Sequence, residues 1–170
     1  MPWHLARISF KKGCLFLIKN QKGLQKIQYS ENHNSIKPLV DQYKKSNISL
    51  TFSEQEFKLE TELFRRYFEG KPVDFSSLKL DFSSATPFQR KIWDITQKIP
   101  FGCVETYKSI AQKINHKGYR SVGNALGQNP FLIAVPCHRV IKTDGSLGGF
   151  GAGLNLKKYL LHLEGTPIHT

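Results

Sequence analysis

The chain has 170 residues, 39% hydrophobic and 22% charged, with 25 Lys and Arg against 13 Asp and Glu for a net charge of +12. That composition excludes a disordered chain, and the length fits one domain or two small ones. The positive excess favours a polyanionic partner without choosing among DNA, RNA and an anionic membrane, and three widely spaced cysteines, Cys14, Cys103 and Cys137, argue against a disulfide framework.

Residues 5–29 read as three strands. Ala6, Ile8 and Phe10 alternate with Arg7 and Ser9, residues 11–13 turn the chain, residues 14–18 form a second strand, and residues 24–29 follow another turn. Together they predict a small antiparallel meander. Residues 30–50 are polar and carry no periodic signal. Phe57, Leu63, Phe64, Tyr67 and Phe68 recur at helical spacing, and Gly70 with Pro72 ends that helix. Residues 78–82 alternate as one more short strand. The texture changes at Ser84, which predicts an N-terminal α/β domain over 1–84 and a C-terminal domain over 85–170. The longest apolar runs are too short to span a bilayer, and the charged N-terminus is unlike a signal peptide.

Thr86-Pro87-Phe88-Gln89 starts a helix, with threonine at the N-cap, proline at N1 and glutamine placed to complete a capping box. Phe88, Ile92, Ile95 and Ile99 form its apolar stripe, and Pro100 stops it. Residues 106–114 make the next helix, with Tyr107, Ile110, Ala111 and Ile114 on one face. A turn at 115–118 leads to a helix over 119–126, closed by Gly127. Two short helices joined by a glycine-containing turn fit a helix-turn-helix, although an ordinary packed pair shares the pattern. Gly123 and Ala125 leave the second helix thin, and Arg120 at its start projects outward. Asn155 is placed to cap a last helix carrying Leu156, Leu160, Leu161 and Leu163, with Glu164 at its end and Gly165 as its αL cap.

Between these helices the run Phe131-Leu132-Ile133-Ala134-Val135 stops at Pro136 and leads directly into Cys137, His138 and Arg139. A cysteine at such a place is most often a small buried hydrophobe. As a nucleophile it must become a thiolate, and His138 can serve as its base. Neighbours on an extended segment point to opposite faces, so contact needs a turn or an intervening water. The base in turn needs an orienting carboxylate, and Glu164, Glu105, Asp144 and Asp94 are all candidates. A carboxylate at a helix C-terminus costs up to about 1 kcal/mol, so replacing Glu164 is expected to stabilise the fold slightly. Six histidines and three cysteines show no metal-ligand spacing, which predicts no metal; His4, Cys14 and His33 are the one weak possibility of convergence. The glycine-rich stretch 148–153 lacks the lysine of a phosphate-binding loop and reads as a loop that lets backbone approach a ligand.

PCHRV at 136–140 resembles the active-site motif of the O6-alkylguanine-DNA alkyltransferases. Around it, TPFQRKIWDITQKIPFGCVETYKSIA resembles the family's first helix and the tyrosine-bearing start of its helix-turn-helix. RSVGNALGQNP resembles its recognition helix and Asn-Pro hinge, and GGFGAGLNLKKYLLHLE its glycine loop and terminal helix. The likeness runs in order from Thr86 to Glu164, while the first 80 residues resemble the family only in layout. It implies an α+β fold, a small antiparallel sheet plus helix followed by a mostly helical winged helix-turn-helix domain.

The resemblance also implies roles. Cys137 would accept the alkyl group, His138 would be its base through a water, and Glu164 would orient His138. Glu164 would also favour the imidazolium, and with it a thiolate of low pKa. Tyr107 would donate its hydroxyl proton toward N3 of a flipped guanine, and Arg120 would fill the gap left in the base stack. Asn129 would order the active-site turn, the Val140 carbonyl would accept from the guanine amino group, and the backbone at Gly151 would face O6. Arg139 would clamp the turn. Phe150 stands where the family commonly has tyrosine, Ser121 where it has alanine, and Gly127 at a place sometimes basic. The implied function is single-turnover DNA repair, moving the alkyl group of O6-alkylguanine, and of O4-methylthymine, onto Cys137 without cofactor or metal. The implied partner is double-stranded DNA bound at its minor groove by a monomer away from membranes, in a prokaryotic cytoplasm or a eukaryotic nucleus. Among rival readings, a damage sensor of the alkyltransferase-like kind lacks the acceptor cysteine. A winged-helix regulator leaves PCHRV unexplained, and a cysteine hydrolase has different neighbours.

Overall fold

The computed structural model describes residues 1–32 and 36–168, so His33 lies outside the described residues. Strands β1 (Trp3–Phe10), β2 (Gly13–Asn20) and β3 (Gly23–Ser30) form the expected antiparallel meander. The polar stretch beyond it holds helix α1 (Lys37–Lys45) and strand β4 (Leu50–Phe52). Strand β4 pairs parallel to β1, so the sheet is mixed, in the order β3-β2-β1-β4, rather than purely antiparallel. Three residues are too few to display a two-residue period, which is why the sequence hides β4. Residues 78–82 do not form a strand. Leu80 makes an isolated bridge to Leu24, held by Leu24 N–H donating to Lys79 O at 2.7 Å and Asp81 N–H to Leu24 O at 2.8 Å.

Helix α1 accounts for the unbroken apolar run of β2. Cys14, Phe16 and Ile18 pack with Leu5 and Leu39 on one face of the sheet, while Leu15 and Leu17 enter the main core on the other. A strand covered on both faces loses its polar alternation. Helix α2 (Lys58–Phe68) lies on the main-core face and buries Phe64 and Tyr67. Its Phe68 stacks on Phe10 of β1 with ring centroids 4.1 Å apart.

Helix α3 (Pro87–Thr96) starts with both bonds of the capping box, Gln89 N–H to Thr86 Oγ1 at 3.2 Å and Thr86 N–H to Gln89 Oε1 at 2.8 Å. It ends before Ile99, because the residue preceding Pro100 is driven out of helical geometry. Ile99 still reaches the core. Helices α4 (Tyr107–Lys113) and α5 (Tyr119–Gly127) pack on each other and on α3, where Trp93 Nε1–H donates to Ala125 O at 2.9 Å. Gly127 is the last helical residue rather than the cap beyond it, and Gln128 takes the cap position.

Strands β5 (Glu105–Thr106) and β6 (Val140–Ile141) pair in parallel, so the wing beside the helix-turn-helix is the glycine-rich loop after β6, not a hairpin. Helix α6 (Leu154–Leu163) is capped at its start by Gly153, and Asn155 sits inside its first turn. At its end Gly165, with φ of 70°, donates to His162 O at 3.0 Å, and Thr166 N–H donates to Leu161 O at 2.9 Å. These two bonds satisfy the last carbonyls of the helix and leave Glu164 fixed at its terminus. One hydrophobic cluster joins Ala6, Leu15, Leu17 and Phe64 to Ile92, Val122 and Leu160, so the sheet and the helices share a core.

The role of α1 in covering the sheet is testable. Leu39→Ala should cost about 2 kcal/mol or more and lower the melting temperature by roughly 4–8 °C. An unchanged melting curve would show that the outer face of β2 does not depend on α1.

Candidate active site

Residues 131–135 do not run as an extended segment. Val135 N–H donates to Phe131 O at 2.8 Å, Ala134 N–H to Leu132 O at 2.9 Å, and Ile133 holds a φ of 70°. A β-branched residue in the left-handed region costs roughly 1–3 kcal/mol and persists where its surroundings over-determine it. Ile133 is only 1% exposed. Cys137–Arg139 then form one turn of 3-10 helix. The turn lets three consecutive side chains serve different places: Cys137 lines a cavity, while His138 and Arg139 reach into the core toward Glu164. Asn129 bridges the turn, accepting from Phe131 N–H at 2.8 Å and donating to Val135 O at 2.8 Å and to Cys137 Sγ at 3.2 Å.

Of the four candidate carboxylates, Glu164 is the one against His138. His138 Nε2 lies 2.7 Å from its Oε1. Arg139 clasps the same carboxylate with Nε at 2.9 Å and Nη2 at 3.0 Å, and its Nη1 donates to Ile99 O at 2.6 Å. Gly102 N–H at 3.3 Å and the Tyr67 hydroxyl at 2.6 Å complete the set. The other carboxylates are engaged elsewhere, Glu105 with Ser109 and Lys113, Asp94 with Arg90, and Asp144 with Ser146.

Burial sets the resting charges. It pushes the Cys137 thiol up, against the Asn129 hydrogen bond and the charge of Lys157. It pushes His138 down, against Glu164. Both groups resist charging away from water, so the resting pair is a neutral thiol and a neutral imidazole, not the expected thiolate–imidazolium pair. Burial also works to raise Glu164, but the hydrogen bonds and charges of His138 and Arg139 overcome it and hold the carboxyl at about 2. Since Nε2 faces that carboxylate and carries the proton, Nδ1 is the basic nitrogen; it is buried and meets no hydrogen-bonding partner among the described residues.

The cavity in front of the thiol encloses about 430 Å³, within the range of small-molecule sites, and Tyr107, Arg120, Gly123, Cys137, Phe150 and Gly151 contribute to its wall. Tyr107 opens α4 and donates to Gly149 O at 3.2 Å. Gly148 must be glycine: its φ is +70°, and a Cβ there would stand 2.8 Å from the Tyr107 ring. Arg120 is exposed at the second residue of α5. Val140 is buried behind the wall, and its carbonyl accepts from Lys157 Nζ at 2.6 Å.

Two residues of the site escaped the sequence reading. Lys157 is fully buried, donates also to Leu147 O at 2.5 Å and Gly149 O at 3.2 Å, and desolvation lowers it to about 8. It ties α6 to the loop that walls the cavity. The available signal was its place four residues before Leu161, on the buried face of α6. Tyr67 read only as one aromatic in an amphipathic stripe.

Fold and site together define a helix-turn-helix protein with a cysteine on the wall of a small-molecule-sized cavity and a buried histidine–glutamate pair behind it. The sequence matches the ribonuclease-like domain of 6-O-methylguanine DNA methyltransferase over residues 3–82 and the DNA binding domain of the same enzyme over residues 87–166. It is 38% identical to a methylated-DNA–protein-cysteine methyltransferase of Methanosarcina barkeri, over 89% of this chain and 90% of that protein. With the Methanothermobacter thermautotrophicus protein of the same name it shares 41% identity over 61% of this chain, a match spanning 58% of that relative's length. The Mycobacterium tuberculosis OGT solved in complex with DNA superposes with a TM-score of 0.76 and 31% identity, covering 95% of this chain and 92% of that one. The chain belongs to the 6-O-methylguanine DNA methyltransferase family.

The carboxylate yields a prediction with two readouts. Glu164→Gln weakens the partner that makes His138 basic, so labelling of Cys137 by iodoacetamide at neutral pH should slow several-fold. It should also destabilise the fold, since the hydrogen bonds to Glu164 outweigh the helix-end penalty anticipated from sequence. Glu164 is held at about 2, below its ordinary 4.5, so between those values the unfolded chain takes up the proton first. The carboxylate's contribution, roughly 3 kcal/mol, is therefore complete above the ordinary carboxyl pKa and lost as pH falls through the folded value. Denaturant unfolding of both proteins from pH 6 to pH 2 should show their difference shrinking toward acid; a constant difference would remove Glu164's charge from the stability of the fold.

Proposed function

We propose that this protein repairs alkylated DNA directly, by moving the alkyl group of O6-alkylguanine onto Cys137 in a single turnover. The observation that carries the reading is the opening of the Cys137 thiol onto a cavity whose wall also bears the Tyr107 hydroxyl, with a buried His138–Glu164 pair behind the thiol. In the reaction the thiol proton passes through a water to His138 Nδ1. The sulfur then attacks the alkyl carbon, the carbon–O6 bond breaks, and the electron pair leaves with the guanine. Tyr107 supplies a proton toward N3, so the base departs neutral, and burial favours its phenol staying protonated until then. The phenolate is returned to its starting state by the proton held on His138, through solvent. The product is a thioether, which no side chain of the site is equipped to cleave.

A base within a duplex is out of reach of a thiol inside a cavity, so the guanine must be flipped out, and Arg120 at the cavity rim fills the stack behind it. The loop backbone at Gly151 faces O6, Phe150 shapes the fit of the alkylated base, and the Val140 carbonyl keeps a second lone pair for the guanine amino group. Asn129 holds the turn and the thiol together. The helix-turn-helix engages double-stranded DNA from the minor groove, as a monomer, and O4-methylthymine is a second substrate. The same reading divides the chain at residue 84, with the +12 charge serving the nucleic acid. It places the protein with its DNA, in a prokaryotic cytoplasm or a eukaryotic nucleus.

Incubation with duplex DNA carrying one O6-methylguanine should raise the intact mass by one methylene per chain. Binding without that gain would instead mark a damage sensor. Cys137→Ser should lose transfer and keep DNA affinity nearly unchanged, because a hydroxyl is a far weaker nucleophile and the binding surface is intact; residual transfer would move the acceptor to Cys14 or Cys103. Arg120→Ala should slow repair in duplex DNA by a larger factor than transfer from free O6-benzylguanine, which has no stack to fill. Equal losses on both substrates would make Arg120 a residue of the fold.

A further inference from the structure

A residue of the sheet-bearing half reaches into the reacting half. The Tyr67 hydroxyl, from the last turn of α2, donates to Glu164 Oε1 at 2.6 Å and lies 3.3 Å from His138 Nε2. Its ring is fully buried and set edge-on to Phe68 and Phe101, with centroids 5.5 Å and 6.0 Å away. The hydroxyl therefore has one place to point. Oε1 also receives His138 Nε2–H and Arg139 Nη2–H, so Tyr67 shares its lone pairs with both.

We propose that Tyr67 is a positioning residue for alkyl transfer, which restrains the basicity of His138 by drawing negative charge from the shared oxygen of Glu164. The proposal rests on the assignment of His138 as the base of Cys137. A neutral donor on Oε1 stabilises the carboxylate without attracting the imidazolium, and so weakens the pull of Glu164 on the second imidazole proton. The charged and titratable groups facing this contact are Glu164, Arg139, Tyr159 and Lys157. Arg139 and Lys157 oppose a charge on His138, and Glu164 supports it. Tyr67 itself, held far above its ordinary range by burial and by Glu164, remains a hydroxyl donor throughout the working pH.

The consequence has a sign opposite to that of Glu164→Gln. With a neutral resting pair, the acid limb of the transfer rate belongs to His138, which must be unprotonated to accept the thiol proton. Tyr67→Phe keeps the ring and removes one of the donors on Oε1, so the His138 midpoint, followed by nitrogen NMR, and the acid limb of single-turnover transfer from O6-benzylguanine should both move up by about half a pH unit. Fluorotyrosine at position 67, a stronger donor of nearly the same shape, should move both down and serves where the phenylalanine variant folds poorly. Glu164→Gln should move both down and slow the neutral plateau. A loss of rate with unmoved midpoints in the two Tyr67 variants, or shifts of the same sign in both, would reduce Tyr67 to packing. An unaltered plateau in Glu164→Gln would instead overturn the assignment of His138.

Discussion

The buried carboxylate of Glu164 is the constraint on which the site depends. A carboxylate taken out of water is tolerated only when its lone pairs are filled by well-placed donors. Here they come from separate parts of the chain: Tyr67 from α2, Gly102 from the turn after α3, and His138 and Arg139 from the 3-10 turn. Failure of any one leaves a buried charge underserved. The demand for satisfaction therefore binds α2, the turn after α3, the 3-10 turn and the terminal helix at one point. The geometry that results also fixes the orientation of the His138 ring.

The same desolvation that makes Glu164 demanding acts on its neighbours. Buried Cys137 and buried His138 both resist charge. Lys157 adds a cation close enough to favour a thiolate once it forms, while its three carbonyl bonds hold the β6 strand and the glycine loop to α6. The strained turn at Ile133 and the bridge made by Asn129 set the direction of the sulfur. In the proposed reaction, activation is thus a matter of positioning in a dry place rather than of a permanently ionised thiol.

The helices and most of the meander were legible because their signals are local. Threonine, proline and glutamine at 86, 87 and 89 announce a capping box that forms as written, and Gly165 ends α6 in the left-handed conformation that few other residues adopt. Where the reading departed from the structure, the deciding contact was distant. Strand β4 exists because β1 offers an edge, and the bridge at Leu80 exists because Leu24 does. The run 131–135 has strand-like composition, but it is folded into turns by Asn129 and by burial on all sides. Gly153, not Asn155, caps α6, since the loop arrives with a positive φ.

By itself the sequence determined the chemistry: a thiol, an imidazole and a guanidinium in succession, a tyrosine at a helix start, and the ordered motifs that carry the family resemblance. Spacing along the chain left four carboxylates open as the partner of His138, and within the sequence only the family resemblance pointed to Glu164. The tertiary structure sets Glu164 against His138, brings in Tyr67 and Lys157, and buries the thiol and the imidazole so that both resist charge. Each of those outcomes depends on burial and on hydrogen bonds between residues far apart in sequence, 97 positions in the case of Tyr67 and Glu164. Local propensity carries no record of such contacts, whereas the cost of an unsatisfied buried charge enforces them once the chain is compact.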